Sequence, residues 1–225
     1  MKPITILLAE DHLLVREGLR VLLASEPDLA IVGEAATGHE AVALTRKLHP
    51  AVVVMDIAMP LLNGVEAARQ ILHTAPATRI LMLSAHSDDA YVEQALTLGA
   101  AGFLIKQTSF RVLAQAIREV HQGKTFLSPA IAQRWRAAGP PSRARAGQLK
   151  AGESGLSSRE VEVLQLIAEG QANKQVAVEL GISTKTVEKH RMHLMKKLNI
   201  HDTAGLTRYA ISAGIIESSV QMTIV

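Results

Sequence analysis

An alternation of two hydrophobic periods over the first 121 residues constrains this chain more than any other feature. Short apolar runs rich in β-branched residues recur at Ile4–Ala9, Leu29–Val32, Ala51–Met55, Arg79–Leu83 and Gly102–Ile105. Between them, apolar residues fall at helical spacing over Leu13–Ala24, Glu40–Leu48, Val65–His73, Ala90–Leu98 and Phe110–Val120. Five strands alternating with five helices predict a doubly wound α/β fold, a flavodoxin-like (βα)5 parallel sheet covered on both faces. The near-continuous apolar character of Ala51–Met55 suits a central strand buried on both sides. Gly38, Gly64, Gly99 and Gly102 punctuate the connections.

Beyond Gly123 the alternation stops. A short helix is expected over Pro129–Ala138, followed by Gly139-Pro140-Pro141-Ser142-Arg143-Ala144-Arg145-Ala146-Gly147, which has no apolar period and reads as a linker. Order resumes where Ser157 and Glu160 form a capping-box pattern, with Leu156 and Val161 spaced to close a hydrophobic staple. Helices are expected at about Ser158–Glu169, Asn173–Leu180, Thr184–Leu198 and Thr203–Ala213, a small all-α unit. The organisation is thus an α/β domain over 4–121, a short helix and linker over 122–155, and a helical domain over 156–217.

Charge divides along the same lines. The net +3 is the sum of an acidic first part (10 basic and 13 acidic side chains in 1–121), a basic connector (6 and 0 in 122–151) and a balanced remainder (8 and 8). Local charge, rather than the total, therefore points to partners. The chain has no cysteine, which excludes disulfides, thiolate metal sites and a cysteine nucleophile. Glu10 and Asp11 interrupt the apolar start, so it does not read as a signal peptide, and no run reaches the roughly 18 apolar residues of a membrane span. The expectation is a cytoplasmic protein without membrane contact.

In a doubly wound sheet, ligands gather beyond the C-terminal ends of strands one and three, where the winding reverses. Those ends carry Glu10-Asp11 and Asp56. Three converging carboxylates repel one another unless a cation joins them, and hard oxygen donors suit Mg²⁺. Strand four ends at Ser84 and strand five at Lys106, adding a hydroxyl and an ammonium to the same rim. That set has the parts for phosphoryl transfer to a carboxylate, with Asp56 as nucleophile and Lys106 neutralising phosphoryl charge. His12 beside the acidic pair is read as structural.

In the tail, Asn173–Leu180, a turn at Gly181-Ile182-Ser183 and Thr184–Leu198 read as a helix–turn–helix. Val187, Leu194 and Leu198 recur at helical spacing and should face inward. Lys185, Glu188, Lys189, Met192 and Lys196 form the opposite stripe, which would meet solvent or a major groove. His190, Arg191 and Lys197 flank it within reach of phosphates.

Residues 4–121 resemble a two-component receiver domain. The resemblance lies in Leu8-Ala9-Glu10-Asp11-His12, Val54-Met55-Asp56-Ile57-Ala58-Met59-Pro60, Leu83-Ser84-Ala85 and Gly99-Ala100-Ala101-Gly102-Phe103-Leu104-Ile105-Lys106. It implies that Asp56 accepts a phosphoryl group from a sensor histidine kinase. It also implies that Glu10, Asp11, Asp56 and the Ala58 carbonyl hold Mg²⁺, and that Ser84 and Phe103 are switch residues. Glu10 replaces the commoner Asp, Gln107 stands where many receivers have Pro, and Ala58 and His86 occupy positions that tune dephosphorylation.

The tail is similar to LuxR-type DNA-binding domains through Leu156-Ser157-Ser158-Arg159-Glu160-Val161-Glu162-Val163-Leu164, Ala168-Glu169-Gly170, Asn173-Lys174-Gln175-Val176-Ala177 and Ile182 to His190. That resemblance implies contact with a double-stranded DNA operator through Thr184, Lys185, Thr186, Val187, Glu188, Lys189, His190, Arg191, Met192 and Lys196. Together the two resemblances imply the NarL/FixJ architecture: a transcriptional response regulator that dimerises on phosphorylation and can contact RNA polymerase. The rival reading is an aspartate-nucleophile phosphatase or phosphotransferase, which typically needs a second acid two residues after its nucleophile. That position is Ala58, and this argues against an enzyme. A second rival is a constitutive DNA-binding protein whose first domain is only a dimerisation scaffold. A small-molecule-sensing LuxR relative would lack the βα alternation and these carboxylates.

Overall fold

The computed structural model describes residues 2–85, 89–138 and 155–216. The chain runs through β1 (Ile4–Ala9), α1 (Leu13–Ala24), β2 (Leu29–Ala35), α2 (Gly38–Leu48), β3 (Val52–Asp56), α3 (Gly64–Thr74), β4 (Arg79–Ser84), α4 (Asp89–Leu98), β5 (Gly102–Ile105) and α5 (Phe110–His121). It continues through β6 (Phe126–Leu127), α6 (Pro129–Ala138), α7 (Ser158–Ala168), α8 (Asn173–Glu179), α9 (Thr184–Leu198) and α10 (Thr203–Ser212). Two compact units result, dividing between Gln148 and Leu149.

The first unit is built on a parallel sheet in the order β2-β1-β3-β4-β5-β6. Alternate residues of each strand feed two separate cores, as the two-residue period requires. Leu7, Ala9, Val53, Met55, Ile80, Met82 and Phe103 pack with residues of α2, α3 and α4 on one face. Ile6, Leu8, Val52, Val54, Leu81, Leu83 and Leu104 pack with residues of α1 and α5 on the other. All five residues of β3 are buried, as its apolar run predicts.

The sixth strand is not expected from the sequence. Two residues leave no readable period, yet β6 pairs with β5, and the Ser128 N–H donates to the Phe103 carbonyl (3.0 Å). Ile131 of α6 then enters the first core, so the first unit extends past the expected boundary at 121. The linker expected over 139–155 lies, apart from Gly155, outside the described residues.

The second unit has no strand among its described residues. Its core comprises Val161, Leu164 and Ile167 of α7, Val176 of α8, Val187 and Leu194 of α9, and Leu206 and Ala210 of α10. The capping box forms as expected: the Glu160 N–H donates to Ser157 Oγ, and the Ser157 N–H donates to Glu160 Oε2. Leu156 and Val161, the staple pair, are both buried. Among the described residues, no helix is long and apolar enough to cross a membrane.

Candidate functional site

The winding reverses between β1 and β3, and their C-terminal ends bring Glu10, Asp11 and Asp56 together. Glu10 is fully buried and Asp56 is 1% exposed, whereas Asp11 reaches the surface. Lys106, at the end of β5, sends Nζ to within 2.9 Å of both Asp56 Oδ2 and Glu10 Oε2. It donates a hydrogen bond to Glu10 Oε1 (3.0 Å), and its N–H donates to the Ser84 carbonyl (2.7 Å), tying the ends of β4 and β5. The Ser84 side chain is buried at the same rim, and Phe103 is fully buried in the sheet core behind it. Ala58 is half-buried in the loop after Asp56; His86 lies outside the described residues.

That loop is tightly confined. The Gly64 N–H donates to the Ile57 carbonyl (2.9 Å), and a Cβ at Gly64 would stand 1.9 Å from the Asp56 carbonyl oxygen, so α3 can start here only on glycine. Leu61 adopts a left-handed conformation (φ 68°), unusual and costly for a branched side chain.

One lysine does not neutralise three carboxylates. Burial first, and the Glu10 charge second, push the Asp56 carboxyl up to about 6, against the opposing pull of Lys106. Burial alone would lower the Lys106 ammonium, but Asp56 and Glu10 hold it above its ordinary value. His12 is raised, chiefly by Asp11: its Nδ1 lies 2.8 Å from Asp11 Oδ1 and 3.1 Å from Glu10 Oε1. Ligand atoms of Glu10, Asp11, His12 and Asp56 all lie within 4.8 Å of one another. Glu10 Oε2, Asp11 Oδ1 and Asp56 Oδ2 are buried oxygens that meet only the Lys106 ammonium or the His12 ring, at 2.8–2.9 Å. Clustered, underbonded carboxylate oxygens fit a hard divalent cation.

The second unit presents a different chemistry. After α8, the Ile182 N–H donates to the Ala177 carbonyl (3.0 Å) and the Gly181 N–H to that of Val178 (3.2 Å), with Gly181 left-handed (φ 62°). These are the two bonds of a Schellman turn, and Ser183 then caps α9 through the Thr186 N–H (3.1 Å). The helix–turn–helix expected from the sequence is therefore built by its own local residues. On α9, Thr184, Lys185, Glu188, Lys189, Met192 and Lys196 are exposed, and Thr186, His190 and Arg191 are half-buried.

Three expected contact residues stand differently. Val187 is fully buried and anchors the helix, so its apolar side chain cannot reach a nucleic acid directly. Lys197 turns back to Glu160 Oε2 (2.6 Å) and the Gly155 carbonyl (2.8 Å), because a buried carboxylate attracts it more strongly than solvent does. Arg191 spans three helices, donating to Asn173 Oδ1 (3.2 Å) and Thr203 Oγ1 (2.5 Å). Sequence reasoning also passed over Arg159, which donates to Glu162 Oε2 and the Leu180 carbonyl (both 2.6 Å) and so steadies the end of α8. Its fixed spacing of three from Glu162 was the one available signal.

Two family descriptions match the chain: "Response regulator receiver domain" over residues 6–118 and "Bacterial regulatory proteins, luxR family" over 154–210. The chain is 33% identical over 225 residues to the transcriptional regulatory protein DegU of Brevibacillus brevis, covering 95% of each chain. It is 36% identical over 214 residues to the transcriptional regulatory protein MctR of Rhizobium johnstonii, again covering 95% of each. Among solved structures it is similar to the two-component response regulator RcsB in complex with DNA (TM-score 0.56, 25% identity, 94% of this chain and 99% of that one).

Proposed function

This chain belongs to the two-component response regulators that join a receiver to a LuxR-family DNA-binding domain, and on that premise we propose that Asp56 is its phosphoacceptor and the gate of its DNA binding. As a member of that family it is a transcription regulator rather than an enzyme. The observation that carries the proposal is the Asp56 carboxylate, only 1% exposed, beside Lys106 within a cluster of acidic side chains.

In this reading an Asp56 oxygen attacks the phosphorus of a kinase phosphohistidine, the P–N bond breaks and the imidazole leaves. Glu10, Asp11, Asp56 and the Ala58 carbonyl would hold Mg²⁺, which supplies charge neutralisation of the phosphoryl oxygens when bound. Lys106 releases part of its hold on Glu10 to neutralise the same oxygens, and Ser84 donates its hydroxyl to them. Phosphorylation replaces one negative charge by about two and adds acceptor oxygens, so the β4 and β5 ends repack, with Phe103 holding the inward ring position.

The second unit is then freed to dimerise through α10 and to place α9 in the major groove of an operator. Lys185, Glu188, Lys189, Met192 and Lys196 meet bases or phosphates there; Thr184, Thr186 and His190 lie near the backbone, and Arg191 steadies the helix. A shift from mostly closed to mostly open takes about 5 kcal/mol, more than one ion pair supplies, so dimerisation and DNA share it. The protein would act in the cytoplasm with a sensor histidine kinase, and on promoter DNA beside RNA polymerase.

Size-exclusion chromatography and genome-wide footprinting, each with and without acetyl phosphate and Mg²⁺, test this. Wild type should become dimeric and gain footprints with the phosphodonor, and Asp56→Asn should do neither. Equal oligomeric state and footprints for both proteins in both conditions would sink the proposal and favour a constitutive DNA-binding protein.

A further inference from the structure

Both backbone groups flanking the Glu10 side chain are held from outside its own loop. Its N–H donates to the Ala35 carbonyl at the end of β2 (3.0 Å), and its C=O accepts from Arg16 Nη1 (2.5 Å). The same guanidinium nitrogen lies 3.5 Å from the Asp11 carbonyl. On its other side Arg16 Nε stands 3.4 Å from Glu34 Oε2, and Arg20 Nε lies 3.7 Å from Glu34 Oε1. Glu34 reaches this place through the register of the sheet: β2 skips a residue between the partners of Ile6 and Leu7, which sets Glu34 opposite Leu8, two residues before Glu10. The Arg16 side chain is 15% exposed, whereas that of Arg20, one turn on, is 50% exposed. Arg16 is therefore built into the fold rather than left in solvent.

We propose that Arg16, anchored by Glu34, is a positioning residue for the divalent-cation pocket, fixing the peptide planes from which the Glu10 and Asp11 carboxylates project. The inference rests on the reading of that pocket as a cation site. Carboxylates crowded at a strand end repel one another, and a free β1–α1 loop would relax by turning them apart. Arg16 opposes that relaxation without occupying a carboxylate oxygen, because its hydrogen bonds go to main-chain carbonyls. The carboxylates are then arranged before the cation arrives, and less ordering remains to be done on binding. Groups that orient metal ligands from behind typically change metal affinity by about 10- to 100-fold when removed. A lysine carries one nitrogen, so it can reach a carbonyl or Glu34 but cannot hold both as the Arg16 Nη1 and Nε do.

Isothermal titration of the full-length protein with MgCl₂, paired with thermal melting in EDTA, tests this. Arg16→Met should raise the Mg²⁺ Kd about tenfold or more. Arg16→Lys should recover part of the loss, and Glu34→Gln should fall between wild type and Arg16→Met. An Arg16 that served only stability would lower the melting temperature in EDTA and leave the Kd of the folded protein within twofold of wild type. That result overturns the inference while leaving the pocket reading intact. Should Arg16→Met not fold, Glu34→Gln decides: a several-fold weaker Kd supports the inference and an unchanged Kd overturns it. Wild type that binds no Mg²⁺ at millimolar concentration overturns the pocket reading, and this inference with it.

Discussion

The two units each bury carboxylates beside a lysine, and they do so with opposite outcomes. In the receiver, Lys106 faces both Glu10 and Asp56, with Asp11 and His12 adjoining, and the burial of Asp56 drives its carboxyl up to about 6. In the DNA-binding unit, burial of Glu160 is outweighed by hydrogen bonds from Lys197 and from the Ser157 N–H and hydroxyl, and its carboxyl lies below the ordinary range. A buried charge that is matched contributes to the fold. A buried charge left in excess makes a site that responds to whatever supplies the missing positive charge.

Replacing Asp56 removes the excess charge of the receiver pocket itself. A folded-state pKa raised above the unfolded value means that the native protein binds the proton more tightly. As pH rises through about 4 the unfolded chain releases its proton while the native carboxyl keeps its own until about 6, so stability falls across that window to a lower plateau. Metal-free Asp56→Asn should therefore be more stable than wild type by about 2–3 kcal/mol at pH 7.5 in urea denaturation, the gap closing near pH 4. Excess Mg²⁺ should narrow the gap at pH 7.5 by stabilising wild type. A less stable variant at neutral pH in EDTA would mean that the pocket is already matched.

The converse applies to Lys197→Met, which leaves Glu160 buried without its cation. Because Lys197 is partly exposed, the loss should be about 2 kcal/mol rather than the full cost of a broken buried pair. The depressed Glu160 pKa gives stability that is present above the unfolded value and lost as pH falls through the folded one, so the deficit should shrink on acidification. A neutral effect on melting would place Lys197 among the solvent-facing cations after all.

The smallest effect on stability belongs to the exposed stripe. Lys185→Gln should change unfolding free energy by no more than about 0.5 kcal/mol, because its head group is in solvent. It should also lower the slope of log affinity against log salt for DNA by about 0.9 if it meets one phosphate. A stability loss comparable to that of Lys197→Met would show that the stripe is part of the fold.

These contrasts mark where sequence reading reaches. Asp56 was legible because an acid ending a wholly apolar strand has few structural uses, and the Val187–Leu194 period gave the inner face of α9. The parallel sheet with helices on both faces followed from the alternation, but β6 did not, since two residues carry no period. Arg16 was invisible: on α1 it sits among ordinary polar positions, and its partners, the Glu10 carbonyl and Glu34, are set by the β1–β2 register. The Lys197 contact with Glu160 is not readable for the same reason, because helical periodicity gives a direction from the axis but not how far a long side chain bends back.

If Asp56 is the phosphoacceptor and a divalent cation completes its pocket, phosphorylation needs both. Mass spectrometry of wild type and Asp56→Asn after incubation with acetyl phosphate, in Mg²⁺ and in EDTA, reads this out. One phosphoryl group, on Asp56, is expected in wild type with Mg²⁺ and none in the other three samples. Equal phosphorylation in EDTA, or of Asp56→Asn in Mg²⁺, would contradict it.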